Sequence, residues 1–401
     1  MTRPALRRTA DVEQRTTSLE LFYDLVFVFA VTQVSHHLLD DLTWRGAGQS
    51  LLLLLVVWWS WNYTTWVTNE LDPESPVVRL LMIALMLASL LMAAALPDAF
   101  GAEAGLFVGS YLAIQVGRHT FLTFVAAEPG TLERARAGRI LVWFAGAGLF
   151  WVAGAIADGP ARTILWLVAL AVDYGAPLAL YRVPGRVPMT EDAWQVSTAH
   201  FSERFGLFVI IALGESIVLT GATISGADLD TATVAAFATA FLTTAALWWL
   251  YFTYVARIAE RRLELAANRT RMARDAYTYL HVVFVAGIIV SAVGDELVIA
   301  HPNERLSGAE VASVVAGPAI YLLAHALFRL RLSGTVSARR LAGAAGCAVV
   351  GVLAADADAL VIAVLVFAIL AAVIGSEHLA AARRGRRGEP SPIERLEASA
   401  G

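Results

Sequence analysis

Long apolar stretches recur along the 401-residue chain, separated by short polar segments. A bilayer core about 30 Å thick requires roughly 20 apolar residues in a helix. The pattern predicts an all-α polytopic membrane protein with twelve transmembrane helices, called here spans 1 to 12. The spans cover residues 19–39, 46–68, 78–96, 104–126, 138–157, 162–181, 201–221, 232–256, 275–293, 309–331, 339–355 and 359–381.

The positions of the cationic residues support this count. All 30 of them are arginines. If the spans alternate in direction, 25 arginines lie on one side of the membrane and three on the other. The remaining two, Arg118 and Arg204, lie within spans. Because arginine is retained in the cytoplasm, both termini are predicted to be cytoplasmic. Arg134, Arg136 and Arg139 argue against spans 5 and 6 forming one re-entrant pair.

Composition agrees with a lipid environment and excludes several classes of protein. The chain is 58% hydrophobic and 16% charged, against about 45–50% and about 25% in soluble domains. The net charge of −4 gives no basic field for nucleic acid. The single cysteine, Cys347, cannot form an internal disulfide. Paired metal-ligand histidines, a P-loop and a nucleophile elbow do not occur in the sequence, so we expect no cofactor, no metal site and no enzymatic activity.

The chain also repeats itself, with separations of 183 to 206 residues between matching positions. The matching pairs are Glu20 and Glu203, Phe22 and Phe205, Trp58 and Trp248, Arg79 and Arg274, Asp98 and Asp295, and His119 and His325. Each half holds six spans, an even number, so the halves should have the same orientation. We expect a pseudo-twofold axis along the membrane normal, with a pathway or a site between the halves.

The repeat predicts the domain organisation. A cytoplasmic segment precedes the first repeat, a cytoplasmic linker joins the repeats, and a polar tail ends the chain. These parts cover residues 1–18, 19–181, 182–200, 201–381 and 382–401, in that order. The tryptophan clusters at Trp58–Trp59 and Trp248–Trp249 are typical of an aromatic belt at the headgroup level.

Acidic residues within span 1 are candidates for function, because ionisable groups inside a bilayer are costly. Glu20 and Asp24 are four residues apart and share a helix face. Thr17 and Glu20 also match a capping box, so a purely structural role stays open for Glu20. Gln33 lies deeper in the same span.

Span 7 carries Glu203 in its first turn and Glu215 about 21 Å further along the helix. We predict that Gln33 and Glu215 lie at one level near the pseudo-twofold axis, where they form a constriction or a protonation site. Gly206 and Gly214 would allow another helix to approach the Glu203 face closely.

A second group of buried charges is expected to form ion pairs. Arg118 needs a carboxylate partner in this environment, and the sequence leaves Asp24, Glu203 and Asp173 open. Arg204 and His119 belong to the same group of candidates.

Two prolines are expected to disturb their helices. Pro177, close after Asp173 and Gly175, should kink or break span 6, and Pro318 should do the same in span 10.

The run from Leu19 to Gln33, with its core Glu20–Leu–Phe–Tyr–Asp24, resembles the bacterial low temperature requirement A (LtrA) family. The run Glu203–Arg204–Phe–Gly–Leu–Phe, followed by Leu–Gly–Glu215–Ser, resembles that family's second motif. The resemblance covers nearly the whole chain. It implies a multi-pass protein of the bacterial inner membrane and no established reaction.

A weaker resemblance concerns the twelve-helix endolysosomal potassium channels. Phe22–Tyr–Asp24 is similar to the Phe-Ser-Asp motif that opens their first helix, and Phe201–Ser202–Glu203 would be its counterpart in span 7. Tyr23 and Glu203 depart from that motif, which has serine and aspartate there. The resemblance implies two six-helix halves whose first helices line a pore.

Two hypotheses for function follow. In the first, the chain is a cation channel or a proton-coupled transporter, with Asp24 and Glu203 at a cytoplasmic acidic mouth and Gln33 and Glu215 deeper. In the second, it is a non-transporting scaffold or a lipid-related factor, and the buried acids pair with Arg118 and Arg204. The expected partners are the lipid bilayer and a small cation or proton, with no nucleic acid. A second copy of the chain stays open as a partner.

Overall fold

The structure is a computed structural model that describes residues 6, 16–226 and 228–398. Throughout this part the chain forms helices and turns and no β-strand. The first helices are α1 (Ser18–Asp40), α2 (Trp44–Thr68), α3 (Pro76–Ala94), α4 (Ala104–Phe121), α5 (Leu132–Ile156) and α6 (Pro160–Gly175). A π-helical turn at Leu122–Ala126 extends α4.

The remaining helices follow after the linker. They are α7 (Thr198–Ser225), α8 (Thr231–Leu250), α9 (Ala256–Glu264), α10 (Arg269–Met272), α11 (His281–Ala300), α12 (Gly308–Ser333), α13 (Ala338–Leu353), α14 (Ala359–Arg386) and α15 (Pro392–Ala398). Two further π-helical turns occur here. Tyr251–Val255 joins α8 to α9, and Ala273–Tyr279 leads from α10 toward α11.

Each of the twelve predicted segments contains a helix, and eight helical runs of the described chain are long and apolar enough to cross a membrane. These runs are Ser18–Asp40, Pro76–Ala94, Leu132–Ile156, Thr198–Ser225, Thr231–Glu264, Arg269–Ala300, Gly308–Ser333 and Ala359–Arg386. The other predicted spans correspond to α2, α4, α6 and α13. Of these, α6 and α13 have only 16 residues each, which is about 24 Å of helix.

The chain divides into two compact units. Unit 1 comprises residues 1–37 and 49–201, and unit 2 comprises residues 38–48 and 202–401. In unit 1, α4 packs on both α3 and α5, and α5 packs on α6. In unit 2, α12 packs on both α11 and α13, and α14 packs on α8 and α13.

The two prolines have different effects. The helix α6 ends at Gly175, six residues before the predicted end of span 6, because Pro177 cannot continue the hydrogen-bond ladder. The next turn places Leu180 and Tyr181 at a φ of 50°, a region that side chains disfavour. Pro318 does not break its helix, since α12 continues through it, and a kink at this residue stays a prediction.

The first tryptophan cluster does not form the predicted aromatic belt. Trp58, Trp59 and Trp61 are at most 1% exposed and lie inside unit 1. Trp59 stacks on Tyr174 with ring centroids 3.8 Å apart. In unit 2, by contrast, Trp248 is 45% exposed, so only the second cluster has the exposure that a belt requires.

Candidate functional site

The start of α1 combines a helix cap with a buried acid. The backbone N–H and the hydroxyl of Thr17 both donate to Oε2 of Glu20 at 2.9 Å, and the Glu20 N–H donates to the Thr17 hydroxyl. The predicted capping box is therefore present. Glu20 is also fully buried, although a capping box needs no burial. Its second carboxylate oxygen, Oε1, takes no part in the cap.

That second oxygen, Oε1 of Glu20, lies 3.0 Å from Nε2 of His200 in α7. Both side chains are fully buried in unit 1. Nδ1 of His200 lies 3.2 Å from the side-chain nitrogen of Asn69. The result is a carboxylate–imidazole–amide chain that joins α1, the residue after α2, and the start of α7.

The amide of Asn69 has only one orientation that satisfies its neighbours. Its oxygen accepts from the Ser197 N–H at 3.0 Å, and its nitrogen donates to the Ser197 carbonyl at 3.2 Å. The amide nitrogen can only donate, so Nδ1 of His200 accepts a hydrogen bond. The other ring nitrogen, Nε2, faces Oε1 of Glu20 at 3.0 Å without the geometry of a hydrogen bond.

Asp24 lies one turn after Glu20 and is also fully buried. Its Oδ1 accepts a hydrogen bond of 2.7 Å from the indole N–H of Trp61 in α2. On the opposite side of α1, Phe22 is 58% and Leu25 is 59% exposed. The predicted acidic face of span 1 is thus turned into unit 1, and the aromatic and aliphatic face is turned outward.

Arg118 forms no ion pair within the described chain, so the predicted carboxylate partner is wrong. Its guanidinium donates to the Thr64 hydroxyl at 2.8 Å and the Ser60 carbonyl at 3.3 Å, and it also bonds the side-chain oxygen of Gln115. The cation lies 5.4 Å from the ring centroid of Tyr63. Several neutral acceptors and an aromatic face take the place of one carboxylate.

Asp173 and His119 were the other candidates for ion pairs in unit 1, and neither forms one among the described residues. Oδ2 of Asp173 accepts from the Tyr111 hydroxyl at 2.7 Å and the Trp151 indole at 2.9 Å. Nδ1 of His119 lies 2.9 Å from the Gln115 carbonyl. The packing of α4, α5 and α6 places Tyr111 and Trp151 beside Asp173. These aromatic donors satisfy the aspartate in place of an arginine.

In unit 2 the candidates of span 7 have different environments. Glu203 is exposed in the first turns of α7, whereas Arg204 and Glu215 are buried. No heavy atom lies within 4 Å of a Cβ built on Gly214, and Gly206 would meet Phe252 only at 3.6 Å. The prediction that these glycines admit a closely packed helix is therefore wrong. Gln33 is half-buried in α1, and its common level with Glu215 stays a prediction.

A second hydrogen-bonded histidine lies in unit 2. The hydroxyl of Tyr251 is 2.8 Å from Nε2 of His281, and Nδ1 of His281 is 3.1 Å from the Ala276 carbonyl. Tyr251 and Ala276 both belong to π-helical turns. Such turns are frequent at functional sites. The described residues contain no group of three or more His, Cys, Asp or Glu side chains that could hold a metal ion.

Sequence reasoning missed four of these residues, namely Asn69, His200, Trp61 and His281. One signal was available, since Trp61 and Tyr251 match in the repeated aromatic clusters and both carry a hydrogen bond to a buried titratable group. For Asn69 and His200 no local pattern existed, because their importance comes from contacts across 131 residues.

Comparison with known proteins places the chain among relatives. It is 36% identical over 333 residues to an uncharacterized protein of Rhizobium meliloti (strain 1021), which corresponds to 82% of this chain and 81% of the relative. No solved structure matches the chain significantly. The family described as bacterial low temperature requirement A protein (LtrA) matches residues 15–375. The chain, with its long apolar helices, therefore belongs to the LtrA family.

Proposed function

We propose that this chain is a proton-coupled transporter of a small cation in the bacterial inner membrane, with the Glu20–His200 pair as its proton-binding site. One observation carries this proposal. A carboxylate and an imidazole, both fully buried in helices long enough to cross a membrane, lie 3.0 Å apart. Ionisable residues inside membrane-spanning helices are costly and are typical of proton relays.

The fixed amide of Asn69 determines which atom takes the next proton. A second proton on Nδ1 of His200 would face the donating nitrogen of Asn69, which has no acceptor to offer. The exchangeable proton therefore goes to Glu20. Protonation of Glu20 neutralises its carboxylate and weakens the attraction to the His200 imidazole, which couples proton binding to the packing of α1 against the first residues of α7.

Other acids have roles in the same scheme. Glu203 is exposed at the start of α7 and attracts cations to the cytoplasmic mouth, while Asp24 lies one turn beyond Glu20. Glu215 is buried further along α7 and is the candidate for a second protonation step. Gln33 contributes a neutral polar group to the deeper part of the pathway.

The same proposal includes the topology. The chain crosses the membrane twelve times as two six-helix repeats, with both termini in the cytoplasm. The neighbour order supports a repeat, because α3 to α6 pack consecutively in unit 1 and α11 to α14 pack consecutively in unit 2. The arginine-rich span ends support the orientation. In this scheme the chain is not an enzyme and needs no cofactor.

Flux in proteoliposomes tests the proposal. Purified protein is reconstituted, and potassium, sodium and proton gradients are applied separately to the wild type and to Glu20→Gln, Asp24→Asn and Glu215→Gln. We expect cation flux that depends on the proton gradient in the wild type. Glu20→Gln should lower this flux to the level of empty liposomes, because a glutamine cannot exchange a proton.

The matched control is Asp173→Asn, which also removes a buried acid from unit 1. Its amide oxygen can still accept from Tyr111 and Trp151, so this variant should keep both fold and flux. Absence of wild-type flux under every gradient, with the variants changing only stability, would favour a non-transporting scaffold or a lipid-related factor. Proton-independent flux would indicate a channel.

A further inference from the structure

We propose that Arg139, near the start of α5, forms a binding site for a phosphate group. The inference is independent of the transport proposal and concerns unit 1 alone. Arg139 is only 7% exposed. Within the described chain, its Nε and Nη1 atoms are buried and have no hydrogen-bond partner.

An uncompensated guanidinium is one of the most costly groups that a protein can bury. It cannot avoid the cost by losing its proton, because arginine stays charged in proteins. Burial of such a charge without a partner costs several kcal/mol. Arg118, which is equally deep in unit 1, avoids this cost through Thr64, Ser60 and Gln115. Arg139 has no equivalent set.

The segment between α6 and α7 is bonded to α5 on both sides of Arg139. Arg136, one turn earlier, donates to the Ala193 carbonyl. Trp143, one turn later, donates to the Arg182 carbonyl at 3.1 Å. Both contacts hold this segment against α5, and Arg139 lies between them on the helix face. Among the described residues, this segment provides no acceptor for the buried Nε and Nη1 atoms of Arg139.

The surrounding charges favour an anion. Arg136 already pairs with Glu70, and its cation lies 5.7 Å from the ring centroid of Trp194. Glu70 is therefore engaged, and the Arg139 charge is left without a counter-ion. Arginine binds phosphate oxygens through paired N–H groups, and a phosphate offers more acceptor oxygens and more charge than a carboxylate. A phosphate group is thus the ligand that this site fits best.

Two sources could supply the phosphate, a free phosphate ion or the headgroup of an anionic phospholipid, and one experiment distinguishes them. The delipidated protein is heated in uncharged detergent at constant ionic strength. Inorganic phosphate is added in one series and short-chain phosphatidylglycerol in another, with chloride as the reference. We expect one of the two ligands to raise the unfolding midpoint by about 4 °C at roughly 100 times its Kd.

The variants give this experiment its control. Arg139→Met should lose the midpoint shift and, because it removes an uncompensated charge, should be at least as stable as the wild type without ligand. Arg186→Met makes the same charge change at an exposed site in the segment before α7 and should keep the shift. If Arg139→Met fails to fold, Arg139→Lys replaces it. Because lysine lacks the paired N–H geometry, this variant should show a smaller shift of the unfolding midpoint.

Each result has one meaning. A shift with inorganic phosphate assigns the site to a free ion, and a shift with phosphatidylglycerol alone assigns it to a lipid headgroup. If neither ligand shifts the wild type, or if Arg139→Met retains the full shift, the proposal is wrong.

Discussion

At the residue scale, two buried charges in unit 1, those of Arg118 and Asp173, have neutral and aromatic partners. Arg118 bonds a hydroxyl, a carbonyl and an amide oxygen, and Asp173 accepts from a phenol and an indole. An ion pair between Arg118 and Asp173 would also satisfy both groups. Removal of one residue would then leave the other charge without its partner. Arg118 and Asp173 share no direct partner, and they are linked only because Gln115 also bonds Tyr111, which the following prediction uses.

Replacement of Arg118 by methionine should lower the free energy of unfolding by about 2 to 4 kcal/mol, because Thr64, Ser60 and Gln115 lose a common donor inside the unit. Combination with Asp173→Asn should show a coupling energy of at most about 1 kcal/mol, because the amide keeps the bond to Tyr111 and the two residues are linked only through Gln115 and Tyr111. Denaturant unfolding of the two single variants and the double variant measures this. A coupling energy above about 1 kcal/mol would instead indicate an ion pair.

At the element scale, the close packing of α11 against α12 depends on three glycines. A Cβ on Gly317 would lie 2.3 Å from the Ser291 nitrogen, and one on Gly294 would lie 2.7 Å from the Val314 Cα. A Cβ on Gly287 would lie 2.8 Å from the Tyr321 nitrogen. Small residues of this kind allow helices to approach closely in a membrane. They also help to explain why α12 continues through Pro318, since the neighbouring helix holds it along this length.

Gly317→Ala should therefore force α11 and α12 apart and lower the free energy of unfolding by about 1 to 3 kcal/mol. Gly308→Ala is the matched control in the same helix, because no heavy atom lies within 4 Å of the added Cβ. Thermal unfolding in detergent compares the two. Equal unfolding midpoints for the two variants would show that the helices adjust without cost.

At the scale of the whole molecule, the number of membrane crossings decides which loops face which side. Glu103 lies just before α4, and Val187 lies between α6 and α7; both are exposed. With twelve crossings and a cytoplasmic N-terminus, Glu103 is outside and Val187 is inside. If only the eight long apolar runs crossed, both assignments would be reversed.

Single-cysteine labelling measures this difference. With Cys347, which is buried, replaced by alanine, cysteines are placed at position 103 or 187. An impermeant maleimide added to intact cells should label Glu103→Cys and leave Val187→Cys unlabelled until the cells are opened. The opposite result would favour eight crossings, and equal labelling of both would contradict either topology.

Local patterns predict much of this protein. Apolar runs predict a helical membrane protein, since each turn in lipid must satisfy its own backbone groups. The spacing of Glu20 and Asp24 predicts one buried face of α1, and the pair Thr17 and Glu20 predicts the capping box. Pro177 predicts the end of α6. All of these depend on residues within a few positions of one another.

Only the tertiary structure decides which partners the buried polar groups take. Glu20 lies against His200 and Arg118 bonds neutral oxygens, whereas the buried Nε and Nη1 atoms of Arg139 have no hydrogen-bond partner among the described residues. Likewise, Gly317 packs closely and Gly214 does not, although both look alike in sequence. A hydrogen bond or a close contact between helices depends on their packing and rotation, which the period of one helix does not contain. The sequence by itself therefore determines that this chain is helical and apolar, and the packing of the helices determines its chemistry.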